Sequence, residues 1–257
     1  MLVLGHRGAP REAPENTLAS FEAALRAGAD GVELDVRRCA SGEVICCHDP
    51  TLLRLAGEEV RVRTTSWSDL RRYDLGGATL CLLGDVLDLW SGRGVVNVEL
   101  KSDDADAPAL VRAALDVIVG APRCAVIVSC FDPALLDDVA ALAPDLARGQ
   151  LVPPLTRPEA PQCLAALDRP GLTAVHPSHV NATPERIAAW RARGLDVNAW
   201  TVDDPARAVT LRDAGATAVI TNVPAAVLAA VRVEGDDAGR REALDRLLER
   251  CAGFRSP

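Results

Sequence analysis

Glu33 and Asp35 stand two residues apart in the run Gly31-Val32-Glu33-Leu34-Asp35-Val36. In an extended strand that spacing sends both carboxylates to one face and Val32, Leu34 and Val36 to the other. A second run repeats the arrangement, with Asn97, Glu99 and Lys101 alternating with Val96, Val98 and Leu100. If the apolar face packs against helices, the carboxylates point inward, where uncompensated charge costs on the order of several kcal/mol. Something cationic must meet them. Glu33, Asp35 and Glu99 offer only oxygen, a donor set that suits a hard divalent cation, Mg²⁺ or Ca²⁺, rather than zinc. The competing reading is a set of buried salt bridges to Arg7, Arg37 and Lys101.

Histidine is rare, at His6, His48, His176 and His179. His6 closes Leu2-Val3-Leu4-Gly5, and His48 closes Val44-Ile45-Cys46-Cys47. A lone histidine usually satisfies a structural role. Two at the ends of strand-like runs, beside a metal-type acidic cluster, point instead to proton transfer near neutral pH. His176 and His179, on the sixth strand and the loop after it, read as structural. Lys101 is the only lysine among 28 basic residues, which suggests a position where a planar guanidinium does not fit. Asn16 or Thr17 can cap the first helix, with capping the safer claim for Asn16, and Glu15 can brace Arg7 or the site.

These residues need a scaffold that gathers strand ends. Strand-like runs at Leu2 to Gly5, Gly31 to Val36, Val95 to Leu100, Ala125 to Cys130, Leu146 to Leu151, Thr173 to His176, Asp196 to Trp200 and Ala216 to Thr221 alternate with helix-period segments. The helices are expected to begin near Thr17, Ser66, Ala107, Pro133, Pro158, Pro184, Pro205 and Pro224. The last two, with Pro133 and Pro184, follow Asp, Thr or Val, and proline at a first helical position sacrifices only an orphan N–H. Eight βα units in an α/β chain of 257 residues predict a (β/α)₈ TIM barrel, whose chemistry sits at the C-terminal ends of its strands. A doubly wound sheet is the runner-up.

An irregular stretch after the second strand predicts a small insertion over about residues 38–65, containing a short extra strand at Val44 to Cys47. The barrel is expected to occupy residues 1–235, and residues 236–257 to form a docked helix or frayed tail. Trp200 shares a strand face with Asp196 and Asn198 and is expected to wall the barrel mouth, with a plain core tryptophan as the alternative.

Composition narrows the partners. The formal charge of −8 gives no reason to expect nucleic acid or an anionic membrane, so any phosphate site must be local. No run approaches the roughly 18 to 20 apolar residues of a membrane helix, and the N-terminus turns polar too soon for a secretory signal. A cytoplasmic protein without stable membrane association is expected. The eight cysteines include no CxxC pair and mostly lie in apolar runs, which favours buried free thiols.

Several runs together resemble the glycerophosphodiester phosphodiesterase family. They are Gly5-His6-Arg7-Gly8, Pro14-Glu15-Asn16-Thr17, Gly31-Val32-Glu33-Leu34-Asp35, His48-Asp49 followed by Thr51-Leu52, Val98-Glu99-Leu100-Lys101 and Trp200-Thr201-Val202, in the family's order. The resemblance implies a divalent cation held by Glu33, Asp35 and Glu99, acid/base histidines at His6 and His48, and phosphate contacts from Arg7 and Lys101. It also implies Trp200 beside the substrate, a small glycerophosphodiester. Leu53-Arg54-Leu55-Ala56-Gly57, Cys81-Leu82-Leu83 and Thr221-Asn222 depart from the family pattern, which bears on substrate preference more than on the reaction. Two alternatives are a related barrel phospholipase, sphingomyelinase D-like or phosphoinositide-cleaving, and an inactive phosphoester-binding barrel.

Overall fold

The structure is a computed structural model that describes residues 1–101, 107–121 and 124–232, together with Glu242, Leu244 and Asp245. Strands β1 (Leu2–His6), β2 (Gly31–Arg38), β4 (Val95–Leu100), β5 (Ala125–Cys130), β6 (Ala147–Val152), β7 (Ala174–Pro177), β8 (Asp196–Ala199) and β9 (Ala218–Thr221) pair in parallel. Because β1 pairs with both β2 and β9, the sheet closes on itself as a (β/α)₈ barrel. A short strand β3 (Val44–Cys46) lies antiparallel on the extension of β2.

Alternation sorts the side chains as the strand pattern requires. Val32, Leu34, Val36, Val96, Val98 and Leu100 are buried outward, in one cluster with residues of helices α1 (Leu18–Arg26), α4 (Leu83–Trp90) and α5 (Ala107–Val119). Each such aliphatic side chain contributes about 1.5–3 kcal/mol on burial. A second cluster packs the later strands against α8 (Pro184–Ala192), α9 (Pro205–Asp213) and α10 (Pro224–Val231).

Inside the barrel, polarity changes along the axis. Leu2, Leu4, Val95, Ala125, Ile127, Ala147, Ala218 and Ile220 form an apolar floor, against which Leu244 packs. Above it the buried residues are polar: Asn97 pairs in register with Glu33, and Ser129 with Glu99, which itself pairs with Asp35, while His176 and Asn198 are buried on β7 and β8. Glycine makes room where strands or rings crowd. A Cβ on Gly31 would sit 2.1 Å from the Val95 carbonyl oxygen, and one on Gly149 would sit 2.4 Å from Nε2 of His176.

The proline-headed helices start where expected. Asp132, Thr183 and Asp204 cap α6 (Pro133–Leu142), α8 and α9, each side chain accepting a backbone N–H of the first turn. Thr17 caps α1, accepting from the Ser20 N–H. Asn16 does not cap, and is put to another use described below. The helix expected near Pro158 is α7 (Ala160–Ala165), headed by Pro161 at its second position.

The second helix is a correction. Ser66 begins only a single turn, α3 (Trp67–Leu70), whereas the helix that crosses from β2 back to β4 is α4. Between β3 and α4 the chain forms α2 (Leu53–Ala56), a 3₁₀ turn at Val62–Thr64 and α3, around their own core of Cys39, Ile45, Cys47, Leu52, Val62, Leu70, Leu75 and Leu80. Of the tail expected beyond residue 235, only Glu242, Leu244 and Asp245 lie within the described residues, in helical conformation. The described cysteines Cys39, Cys46, Cys47, Cys81, Cys124, Cys130 and Cys163 are all free thiols, and all but Cys124 are buried.

Candidate active site

An open cavity of about 180 Å³ at the C-terminal mouth of the barrel is lined by His6, Arg7, Glu33, His48, Asn97, Glu99, Lys101, Phe131, Leu151, Trp200, Thr201 and Ile220. The sequence therefore assembles its candidate residues in one place. His6 and Arg7 come from the end of β1, Glu33 and Asp35 from β2, Glu99 and Lys101 from β4, and His48 from the segment that follows β3.

Glu33, Asp35 and Glu99 each bring a carboxylate oxygen within 4.8 Å of the other two, and all three are buried. Arg7 Nε lies 3.0 Å from Asp35 Oδ2, and Lys101 Nζ lies 3.0 Å from Asp35 Oδ1 and 2.6 Å from Glu99. Against burial, which pushes Asp35 upward, Lys101 and Arg7 hold its carboxyl well below the usual range. Glu33 is pushed the other way, by burial and then by the charges of Asp35 and Glu99. Glu99 is raised as well, burial outweighing its contact with Lys101. Lys101 itself is held above the usual lysine range, because Asp35 and Glu99 outweigh its desolvation. Three carboxylates facing two cations leave a surplus of negative charge. That surplus, an all-oxygen donor set and a Glu33 pushed toward protonation by burial and then by its acidic neighbours fit a hard divalent cation.

Both histidines are anchored through Nδ1. His6 Nδ1 lies 2.7 Å from Asn222 Oδ1, and Asn222 Nδ2 donates to Asp203 Oδ2 at 2.7 Å. Because the Asn222 amide must turn its NH₂ toward the Asp203 carboxylate, Oδ1 is left to accept, which places the His6 proton on Nδ1. Nε2 of His6, 3.8 Å from Glu33, is then the free lone pair. Burial, and after it the charge of Arg7, lowers the His6 pKa and keeps the ring neutral. His48 Nδ1 donates to Asp49 Oδ1 at 2.6 Å, and the His48 backbone carbonyl accepts from Arg37 Nε and Nη2 at 3.0 and 2.7 Å.

The loop between β1 and α1 braces the cluster from the side. Arg7 and Asn16 adopt left-handed backbone at φ 55° and 56°. Arg7 N–H reaches Glu33 Oε2 at 3.2 Å, and Arg7 Nη1 reaches Glu15 at 2.8 Å. Asn16 Nδ2 donates to Asp35 Oδ2 at 2.9 Å and Asn16 Oδ1 accepts from the Asp35 N–H at 3.3 Å. Asn16 is thus a holder of Asp35, a use that corrects the capping expectation. Trp200 lines the cavity, donates its indole N–H to the His176 carbonyl at 2.7 Å and meets Phe131 edge-to-face at 5.6 Å between ring centres. His176 is buried against Asn198 at 2.9 Å, and burial drives its pKa down to about 3, as suits a structural imidazole. His179 stands apart from the cavity lining, its peptide N–H donating to the Trp200 carbonyl.

Asn222, Asp203 and Asp49 were not singled out from the sequence. Asn222 was visible only as a departure from a family run, and Asp49 only as the neighbour of His48. Asp203 carried no signal, since its partner Asn222 lies 19 residues away across a strand.

Comparison with known proteins supplies the family. The family model described as the glycerophosphoryl diester phosphodiesterase family matches residues 6–226. A glycerophosphodiester phosphodiesterase of Caldanaerobacter subterraneus is 31% identical over 251 residues, covering 91% of this chain and 99% of that protein. The structure of an Oleispira antarctica phosphodiesterase in complex with the product sn-glycerol 3-phosphate superposes with a TM-score of 0.81 at 25% identity, over 90% of this chain and 96% of that one. A glycerophosphodiester phosphodiesterase from Thermotoga maritima gives a TM-score of 0.72 at 28% identity, over 89% and 96% of the two chains. With a closed barrel, a charged mouth and a family match over residues 6–226, this chain belongs to the glycerophosphoryl diester phosphodiesterase family.

Proposed function

We propose that the protein hydrolyses small glycerophosphodiesters to sn-glycerol 3-phosphate and an alcohol, with His6 as base and His48 as acid. The observation that carries this reading is the placement of two Nδ1-anchored histidines in one cavity with Arg7, Lys101 and a three-carboxylate cluster. A phosphodiester is an anion with poor alcohol leaving groups, so its cleavage needs charge neutralisation, a base for the attacking oxygen and an acid for the departing one.

Arg7 and Lys101 supply fixed positive charge at the mouth, and the guanidinium and the ammonium are each held by Asp35. Neutral His6, with its proton fixed on Nδ1, presents Nε2 to take a proton from the nucleophilic oxygen, either that of water, which gives sn-glycerol 3-phosphate directly, or that of a glycerol hydroxyl of the substrate, which gives a cyclic phosphate that water then opens to sn-glycerol 3-phosphate. That oxygen attacks phosphorus while the bond to the alcohol oxygen breaks, and His48 gives the alcohol its proton. Asp49 holds the His48 ring so that Nε2 is the transferring nitrogen. Glu33, Asp35 and Glu99 would hold Mg²⁺ or Ca²⁺, which when bound neutralises charge on the phosphoryl oxygens. Trp200, Phe131, Leu151 and Ile220 form the apolar side of the cavity, large enough for glycerol and small beside a diacyl lipid. Sphingomyelin and lysolipid vesicles are accordingly expected to be poor substrates beside glycerophosphoethanolamine.

The leaving group tests the assignment. A p-nitrophenyl phosphodiester expels a stable phenolate and scarcely needs an acid. His48→Ala is expected to lose roughly 10²- to 10⁴-fold on glycerophosphoethanolamine and far less on the nitrophenyl ester, whereas His6→Ala loses comparably on both. The opposite pattern would exchange the two roles, and full activity of both variants would end the proposal.

A further inference from the structure

Arg54 belongs to the inserted segment, in the single helical turn α2, and to none of the runs that suggest chemistry. Yet its guanidinium makes three charge-assisted hydrogen bonds: Nε to Asp49 Oδ2 at 2.6 Å, Nη1 to Glu15 Oε2 at 2.9 Å and Nη2 to Glu15 Oε1 at 2.7 Å. Each carboxylate has a second partner. Glu15 Oε1 also accepts from Arg7 Nη1 at 2.8 Å, and Asp49 Oδ1 also accepts from His48 Nδ1 at 2.6 Å. A continuous chain therefore runs His48, Asp49, Arg54, Glu15, Arg7, Asp35.

We infer that Arg54 is a positioning residue that sets His48 and Arg7 in one fixed relation across the mouth of the barrel. The inference rests on the roles proposed above for those two side chains. Glu15 lies on the loop after β1 and Asp49 on the segment after β3, so no strand fixes one relative to the other. Without a cation between them, these carboxylates lose their common partner, and each loop carries a side chain whose aim the reaction needs. A guanidinium suits the place because its fork addresses Glu15 with two nitrogens while the third reaches Asp49, which a lysine ammonium cannot reproduce. Both carboxyls are held below their usual range; burial raises each, but Arg54 with Arg7 outweighs it at Glu15, and His48 with Arg54 outweighs it at Asp49.

The test compares wild type, Arg54→Ala, Arg54→Lys, His48→Ala and the double variant Arg54→Ala/His48→Ala on glycerophosphoethanolamine and on the nitrophenyl diester. Arg54→Ala should lower kcat on the order of 10-fold, with the same dependence on leaving group that His48→Ala shows, and should raise KM through the Arg7 arm. Adding the substitution to His48→Ala should cost little further kcat, and millimolar guanidinium should restore part of the activity of Arg54→Ala. Arg54→Lys should recover less than half of the loss. Independent multiplication of the two losses, an ester dependence unlike that of His48→Ala, or wild-type kinetics would overturn the inference. The Nδ1–H resonance of His48, identified by its disappearance in His48→Ala, gives a readout that does not need turnover. It should shift or broaden in Arg54→Ala and return with guanidinium. If wild type cleaves neither ester, the proposed function fails, and an unchanged resonance in Arg54→Ala would by itself overturn the role of Arg54.

Discussion

At the scale of single residues, the site is legible where its chemistry follows strand periodicity and silent where it follows closure of the barrel. Glu33, Asp35, Glu99 and Lys101 share inward faces because alternate residues of a strand must, and their separation from Val32, Leu34, Val96 and Val98 can be read in one dimension. Asn222, held from behind by Asp203, meets His6 only because β9 closes onto β1, a juxtaposition with no local signature. Asn16 was misread because an asparagine before a helix usually caps it, whereas its left-handed backbone turns the amide to Asp35 and leaves the cap to Thr17. Lys101 reaches two carboxylates at once from a compact ammonium. Lys101→Arg, with a broader and planar head in the same buried corner, is expected to lower kcat/KM at least roughly 100-fold, the range seen when a positioned charge is misplaced by about 1 Å. Near wild-type kcat/KM would show that the lone lysine is an accident of composition.

At the scale of elements, the proline-headed helices and the parallel strands follow from local signals, and the inserted segment does not. Ser66-Trp67-Ser68-Asp69 has the spacing of a helix start, and Ser66 does hydrogen-bond Asp69, but only one turn follows before the chain departs. The small core around Ile45, Leu52, Val62 and Leu70 is built from short turns with no period to detect. The strands also carry a pH dependence. His176, on β7, has its pKa driven to about 3 by burial, below the ordinary 6.5, so the folded chain refuses a proton that the unfolded chain accepts. Stability is therefore complete above about pH 6.5 and is lost as pH falls toward 3, by up to about 1.4 kcal/mol per pH unit. Between pH 7 and pH 5, His176→Gln should lose about 2 kcal/mol less stability than wild type, measured by urea unfolding at each pH. Parallel losses in the two proteins would contradict the burial of a neutral ring. Thr17→Ala, which removes the cap of the helix beside the site, should cost about 1 kcal/mol in the same assay.

For the whole molecule, a formal charge of −8 coexists with a mouth at which Arg7 and Lys101 supply positive charge locally, so attraction for an anion there does not come from the net charge of the chain. Among the described residues no helix is long and apolar enough to cross a membrane. The barrel gathers the ends of eight strands so that carboxylates, cations and histidines from distant parts of the chain share one cavity. Replacing Glu33 or Asp35 by its amide should weaken divalent-cation binding in calorimetry; Glu33→Gln relieves inward repulsion and leaves the barrel folded, whereas Asp35→Asn also takes a shared partner from Arg7 and Lys101 and should lower stability. Unchanged affinity in both variants would remove them from the cation site. The most direct test of the account is release of sn-glycerol 3-phosphate from glycerophosphoethanolamine, followed before EDTA treatment, after exhaustive EDTA treatment and after return of Mg²⁺, Mn²⁺ or Ca²⁺. Release by the untreated enzyme, its loss on chelation and its recovery with one of these ions is the predicted result; full activity without any ion, or no release with all of them, would contradict it.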